Sequence, residues 1–159
     1  MFRISRRLDY GLQLMIALAQ DPDNHPQSTA SLAEKLQMPL PFLHQIAHTL
    51  MQAGLIKASP GPRGGLRLSR PAENITALQI TESLEGPITL NPCGELEEDY
   101  PHQDKCSTDS LWTEIQDKIV NQLEGVRLDT LVDQSENQMP VLAMSYSQNG
   151  YGSSDYSTQ

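Results

Sequence analysis

Apolar side chains recur with the period of an α-helix in the first third of the chain. The first such stretch is ended by a turn rich in proline and Asx residues, and its predicted apolar face consists of Leu8, Leu12, Met15, Ile16 and Ala19. A second, short helix is predicted after Ser28, which is a candidate N-cap. A third is predicted from about Pro41, because proline is tolerated in a first helical turn, and Gly54 ends it.

The pattern changes after the third helix. Two short stretches with alternating polarity, 55–59 and 66–69, flank Pro60-Gly-Pro-Arg-Gly-Gly65, and this arrangement predicts a β-hairpin with a glycine-rich tip. Another short helix is predicted from Thr76. A longer helix is predicted over 108–124, where an apolar stripe is formed by Leu111, Trp112, Ile115, Ile119 and Leu123.

The charge of the chain is divided unevenly. The net charge is −9, but residues 1–70 carry a net charge of +4 and the remaining residues carry −13. A basic first half on an acidic second half indicates that only the first half faces a polyanion. Charge alone favours the alternative, an ordinary domain with a solubilising acidic tail, so the choice depends on the order of the elements.

Two helices joined by a short turn and followed by a hairpin form the order of a winged helix-turn-helix. The predicted fold is therefore mainly α with a small β-hairpin wing. The second helix of this pair, which is the third helix of the chain, would enter the major groove of DNA. Gln45 can bond adenine, Arg63 can enter a narrow groove, and Arg67 and Arg70 can contact phosphates. The candidate DNA contacts are Ser28, Pro41, His44, Gln45, His48, Arg63, Gly64, Arg67 and Arg70. The alternative is a small α+β domain in which the hairpin is only a turn.

Several motifs agree in order and spacing with one family. They are ISRRLDYGLQLMIALA, SLAEKLQMPLPFLHQIAHTLMQAGLI, SPGPRGGLRLSRP, ITALQITESLEGPI and DKCSTDSLW. Together they resemble the Rrf-two family of winged-helix regulators, which includes the IscR, NsrR and RsrR types. The resemblance implies a homodimeric transcriptional regulator whose 108–124 helices cross and which binds a pseudo-palindromic operator in double-stranded DNA.

The resemblance also implies a metal cofactor. In members with three cysteines, the loop before the long helix holds an iron–sulphur cluster, and Cys93 and Cys106 match the first and third cysteines. RsrR-type members hold a [2Fe–2S] cluster with two cysteines, an acid and a histidine. Asp9 matches the acid, whereas Gln13 stands where the histidine would be, and His102 in the loop is its substitute. The implied ligands of a [2Fe–2S] cluster that senses iron or redox state are thus Cys93, Cys106, Asp9 and His102.

The two cysteines are compatible with other chemistry. They could be free thiols, a redox disulfide or part of a zinc site with His102, any of which would make a cluster-free regulator of the same fold. A different class is an iron–sulphur carrier that ignores DNA. A thiol enzyme built on Cys106, His102 and Asp109 lacks an evident oxyanion site, and we expect no enzymatic activity.

The remaining expectations concern location and domain limits. No apolar run is long enough to cross a membrane, and no secretory signal is evident, so a cytoplasmic protein is expected. The predicted regions are a winged helix-turn-helix domain (1–86), a cysteine-containing sensor loop (87–107), a dimerisation helix region (108–135) and a disordered tail (140–159).

Overall fold

The protein is mostly helical, with one two-stranded hairpin. The computed structural model describes residues 4–90 and 109–135. Its elements are α1 (Arg6–Ala19), α2 (Thr29–Lys35), α3 (Leu40–Gln52), β1 (Ile56–Ser59), β2 (Gly65–Leu68), a 3₁₀ turn (Ala72–Asn74), α4 (Ala77–Glu85), α5 (Asp109–Gly125) and a helix over 128–135, α6. The sequence prediction of a mainly α fold with a β-hairpin wing is confirmed.

The core lies between α1, α3 and α4. Ser5 is the N-cap of helix α1, and its Oγ accepts a hydrogen bond from the backbone N–H of Leu8 at 3.0 Å. Helix α1 then approaches α4 closely at Gly11, where a Cβ atom would lie 2.2 Å from Cδ1 of Leu84. A larger residue after Tyr10 would therefore displace the Leu84 side chain. The Tyr10 ring itself makes an edge contact with Phe42 of α3, with 5.7 Å between ring centroids.

The wing is anchored at its base by the loop between α1 and α2. Strands β1 and β2 are antiparallel, and the backbones of Gln27 and Leu66 exchange two hydrogen bonds of 2.8 Å on the other edge of β2. The Asn24 side chain continues this pairing, because its amide donates to the Leu68 carbonyl at 3.0 Å and accepts from the Leu68 N–H at 2.9 Å. The loop between α1 and α2 therefore pairs with the free edge of β2 through an isolated bridge between Gln27 and Leu66.

The chain returns to the core after α5. The N–H of Ala77 donates to the Val126 carbonyl at 2.8 Å, and the N–H of Leu128 donates to the Ile75 carbonyl at 2.9 Å. Leu128 is fully buried in the same core as α1 and α3. Helix α5 packs against α4, whereas its Leu111 and Ile119 are 51% and 38% exposed.

Candidate DNA-binding surface and sensor residues

Helix α3 has one buried face and one exposed face. The buried face consists of Leu43, Ile46, Ala47 and Leu50. The exposed face carries four of the predicted DNA contacts, which follow the i, i+3, i+4, i+7 spacing of one helical stripe: Pro41, His44, Gln45 and His48. The structure therefore brings these four side chains together on the surface.

This stripe contains no permanently charged side chain. No Lys, Arg, Asp or Glu occurs from Leu36 to Ile56, so α3 and both of its flanks are uncharged. The exposed amide of Gln45 and the two imidazoles can donate and accept hydrogen bonds, which suits base edges. They supply none of the fixed positive charge that makes phosphate binding dependent on salt.

The wing has the opposite character. Residues 55–71 contain four basic side chains and no acid. The predicted groove contact Arg63 is exposed at the tip. The next two residues have no room for a side chain, since a Cβ on Gly64 would lie 2.1 Å from the Ser59 carbonyl oxygen, and one on Gly65 would lie 2.2 Å from that of Gln27. Gly65 also has a φ of 156°, so glycine is required there on two counts.

The other basic side chains of the wing differ in the partners that surround them. Arg67 pairs with Lys57 across the hairpin; like charges placed opposite one another destabilise a hairpin, and an anion bound between them would relieve that repulsion. The Nε of Arg67 is buried without a hydrogen-bond partner among the described residues. Arg70 instead donates from Nε to the Asn74 carbonyl at 3.1 Å and from Nη2 to Oε1 of Gln79 at 2.9 Å. Lys57 was not among the DNA contacts predicted from the sequence. Its position opposite Arg67 follows only from the strand register.

The remaining predicted contact, Ser28, lies at the start of α2. It occupies the N-cap position as predicted, yet its side chain makes no capping hydrogen bond and the residue is exposed. The contact of Ser28 with DNA stays a prediction.

Of the predicted metal ligands, Asp9 lies within the described residues. It is exposed on α1, and its Oδ2 accepts a hydrogen bond from Nε2 of Gln13, one helical turn later, at 2.9 Å. The predicted ligands Cys93, His102 and Cys106 lie outside the described residues. The described residue that precedes them, Leu90, is held against α5, because its N–H donates to Oε1 of Gln116 at 2.9 Å.

One other group of potential metal ligands occurs within residues 4–90 and 109–135. Asp21, Asp23 and His25 place their ligand atoms within 4.8 Å of one another. Desolvation would raise the pKa of the Asp21 carboxyl, but hydrogen bonds from the backbone N–H groups of Asp23 and His25 and from the His25 ring hold that pKa below its usual value. These hydrogen bonds within a tight turn after α1 explain why the three side chains lie close together.

No helix within the described part of the chain is both long and apolar enough to cross a membrane.

Comparison with known proteins identifies the family. The Rrf2 family model, described as an iron-dependent transcriptional regulator, matches residues 4–134. The regulator CymR of Bacillus subtilis is 32% identical over 136 residues, covering 86% of this chain and 94% of CymR. IscR of Pectobacterium carotovorum is 26% identical over 134 residues, covering 84% and 81% of the two chains.

Comparison with solved structures finds the same two regulators, CymR and IscR. That of CymR, described as the global cysteine regulator of B. subtilis, matches with a TM-score of 0.69 and 32% identity, over 84% of this chain and 98% of that one. That of T. potens IscR also has a TM-score of 0.69, with 26% identity over 95% and 94% of the two chains. An oxidized form of Staphylococcus aureus CymR matches with a TM-score of 0.63 and 33% identity, over 82% and 96%. The chain therefore belongs to the Rrf2 family of winged-helix transcriptional regulators.

Proposed function

We propose that the protein binds a pseudo-palindromic operator in double-stranded DNA as a homodimer and reports iron or redox state through its cysteine-containing segment. The observation that carries the DNA assignment is the uncharged, exposed stripe of α3 beside a wing that carries only basic charge. The proposal is a binding function and gives no catalytic role to Cys106, His102 or Asp109. It includes a cytoplasmic location, where the regulator would meet its operator.

The two parts of the surface have different tasks in this proposal. The stripe of α3 meets base edges in the major groove, where Gln45 bonds adenine through its amide. Arg63 enters the adjacent minor groove, and the absence of a side chain at Gly64 lets the wing tip approach the sugar–phosphate chain. Lys57 and Arg67 contact phosphates. Ser28 and Arg70 complete the proposed contacts at the edges of this surface.

The homodimer is proposed from the exposed apolar face of α5. Leu111, Ile115 and Ile119 are spaced by four residues and lie on one side of that helix. Helix α5 packs against α4, yet Leu111 and Ile119 remain exposed to water in a single chain. Burial of each such side chain against a second copy contributes roughly 1.5–3 kcal/mol. A two-fold dimer then places two α3 helices in half-sites about one helical turn apart.

The proposed sensor is a [2Fe–2S] cluster held by Cys93, Cys106 and His102 with Asp9 of the second protomer. The donor set fits such a group, since thiolates and imidazole are common ligands of cluster iron and the Asp9 carboxylate is exposed on α1. When bound, the cluster supplies reversible one-electron chemistry. Gln13 fixes the orientation of the Asp9 carboxylate through its hydrogen bond.

A second candidate is a regulator that uses the two thiols without iron. It is favoured by Gln13, because α1 offers a carboxylate bonded to an amide where RsrR-type members offer a carboxylate and a histidine. It also agrees with the similarity to the two CymR structures, one described as a global cysteine regulator and the other as an oxidized form. In this candidate Cys93 and Cys106 would form a disulfide.

Purification without oxygen separates the two candidates. The cluster predicts a coloured protein with iron and sulphide in equal amounts, whose visible absorption is abolished by Cys93→Ala or Cys106→Ala. Asp9→Ala should leave a cluster that is lost faster, whereas Asp23→Ala, which changes another exposed carboxylate, should not. A colourless protein whose two thiols are lost reversibly on oxidation would favour the thiol regulator. Full zinc occupancy without iron would contradict both.

Selection from a random duplex library, followed by footprinting, tests the DNA assignment. The proposal predicts two protected half-sites about one helical turn apart, and an affinity that falls as salt rises because counterions are released. Retention of no duplex above background at low salt would contradict it.

A further inference from the structure

We propose that Arg7 of α1 is a positioning residue for base readout, acting on Gln45 through Thr49. The inference rests on the proposed DNA-binding function and extends it to a side chain that does not belong to α3 or to the wing. Nη2 of Arg7 donates to Oγ1 of Thr49 at 2.8 Å, and Oγ1 of Thr49 donates to the Gln45 carbonyl oxygen at 3.2 Å.

This chain of bonds holds the helix turn that carries the reader. Thr49 is half-buried on the side of α3 that faces α1, one helical turn after Gln45. A hydroxyl that bonds the carbonyl four residues earlier competes with the helical hydrogen bond and tends to bend the helix. The guanidinium fixes the rotamer of the hydroxyl, so the curvature of α3 at Gln45 depends on Arg7.

The backbone that carries Arg7 is itself fixed at two points. Ser5 Oγ accepts a hydrogen bond from the N–H of Leu8 and donates to Oε1 of Glu85 at 2.7 Å, which ties the start of α1 to the end of α4. Arg7 therefore connects α3 to a helix whose position is already set. Arg7 makes no ion pair with any described residue, so its charge also remains beside the uncharged α3.

Two interpretations of Arg7 make different predictions. A simple phosphate contact would act through charge, and its loss would weaken all sequences alike and reduce the salt dependence. A positioning residue acts through Thr49, so its loss should change the preference for one base while the salt dependence stays close to that of the parent.

The test compares Arg7→Ala and Thr49→Val with their double variant, using the selected operator and a duplex changed at the base whose recognition depends on Gln45. Thr49→Val keeps the shape of the side chain and removes the hydroxyl. Each single variant should lose about two- to tenfold of the preference between these duplexes, the range that one hydrogen bond provides. The double variant should lose no more than either, since both changes break one chain.

Two further variants serve as controls. Thr49→Ser retains the hydroxyl and should keep the preference of the parent. Arg6→Ala removes a neighbouring exposed charge and should leave the preference unchanged. If Arg7→Ala instead weakens both duplexes equally while Thr49→Val has no effect, the positioning role is wrong although DNA binding stands. A parent protein that binds no operator would overturn the proposed function itself.

Discussion

Helix α3, the proposed recognition helix, and the wing lie side by side but differ in their physical character. Helix α3 is uncharged, and its pose is set by four side chains that are almost completely buried. The wing carries four basic groups and no acid over 55–71. Base edges are read by hydrogen bonds with defined directions, whereas phosphates are bound by charge that needs little geometric precision. The proposed function therefore predicts that base preference is concentrated in α3 and salt-dependent affinity in the wing.

The two regions also differ in what holds them in place. A buried apolar face fixes the axis of α3, and the bond from Arg7 to Thr49 acts only on the local backbone near Gln45, so we expect substitutions of His44 or His48 to leave the position of the helix unchanged. The wing is held by backbone pairing with Gln27 and Asn24 and by glycines that leave no room for a side chain. Small backbone changes should therefore damage the wing more than α3.

The largest expected effect comes from breaking the proposed homodimer, which would separate the two α3 helices and the two wings. Leu111→Lys combined with Ile119→Lys places two charges on the exposed apolar face of α5 and should give monomers in analytical ultracentrifugation. Operator affinity should fall about 100-fold or more, because a second linked site commonly adds 10²–10⁴. The salt slope should be roughly halved. Asp117→Lys, at another exposed position of α5, is the control. A dimer that survives the double change would contradict the proposed interface.

The next effect is on the backbone of the wing. Gly65→Ala should destabilise the protein by about 1–3 kcal/mol in urea unfolding, because the new Cβ overlaps the Gln27 carbonyl and the positive φ is strained. DNA affinity should fall for all sequences alike. Gly125→Ala, at a glycine where an added Cβ would meet no atom within 4 Å, should be neutral or slightly stabilising. Equal effects at the two glycines would refute the close fit at the wing.

A smaller effect distinguishes two arginines of the wing region. Arg63→Ala should reduce the salt slope of operator binding by about 0.9 per protomer. Arg70→Ala should lower the free energy of unfolding, because Nε and Nη2 of Arg70 donate hydrogen bonds to Asn74 and Gln79. It should change the salt slope less than Arg63→Ala does. Reversal of these two results would show that Arg70, and not the wing tip, is the main phosphate contact.

Much of the fold could be predicted because periodicity is local. The helices, the hairpin and the exposed stripe of α3 follow from the spacing of apolar residues. The inner face of α1 was predicted less well. Of the predicted face, Met15 is fully buried, whereas Leu12 and Ile16 are half-buried; the fully buried stripe includes Leu14 and Leu18. The sequence allows both stripes, and the close approach at Gly11 selects one of them.

Features that depend on distant pairing could not be read from the sequence. The return of Leu128 into the core and the addition of Gln27 to the wing both join segments far apart in the chain. The bond from Arg7 to Thr49 is of the same kind, since 42 residues separate its two partners. The opposition of Lys57 to Arg67 is local, but it depends on the exact strand register, which the hairpin pattern alone does not give. The predicted cluster ligands Cys93, His102 and Cys106 lie outside the described residues, and their role stays a prediction.

The most direct test of the division between α3 and the wing measures operator affinity for the parent, Gln45→Ala, Arg63→Ala and the double variant. Each protein is titrated with the selected operator and with a duplex changed at one base, across a range of salt concentrations. Gln45→Ala should lose about 1–3 kcal/mol of base discrimination with an unchanged salt slope, whereas Arg63→Ala should show the reverse. The two effects should add in the double variant. Loss of both discrimination and salt dependence in each single variant would contradict the account.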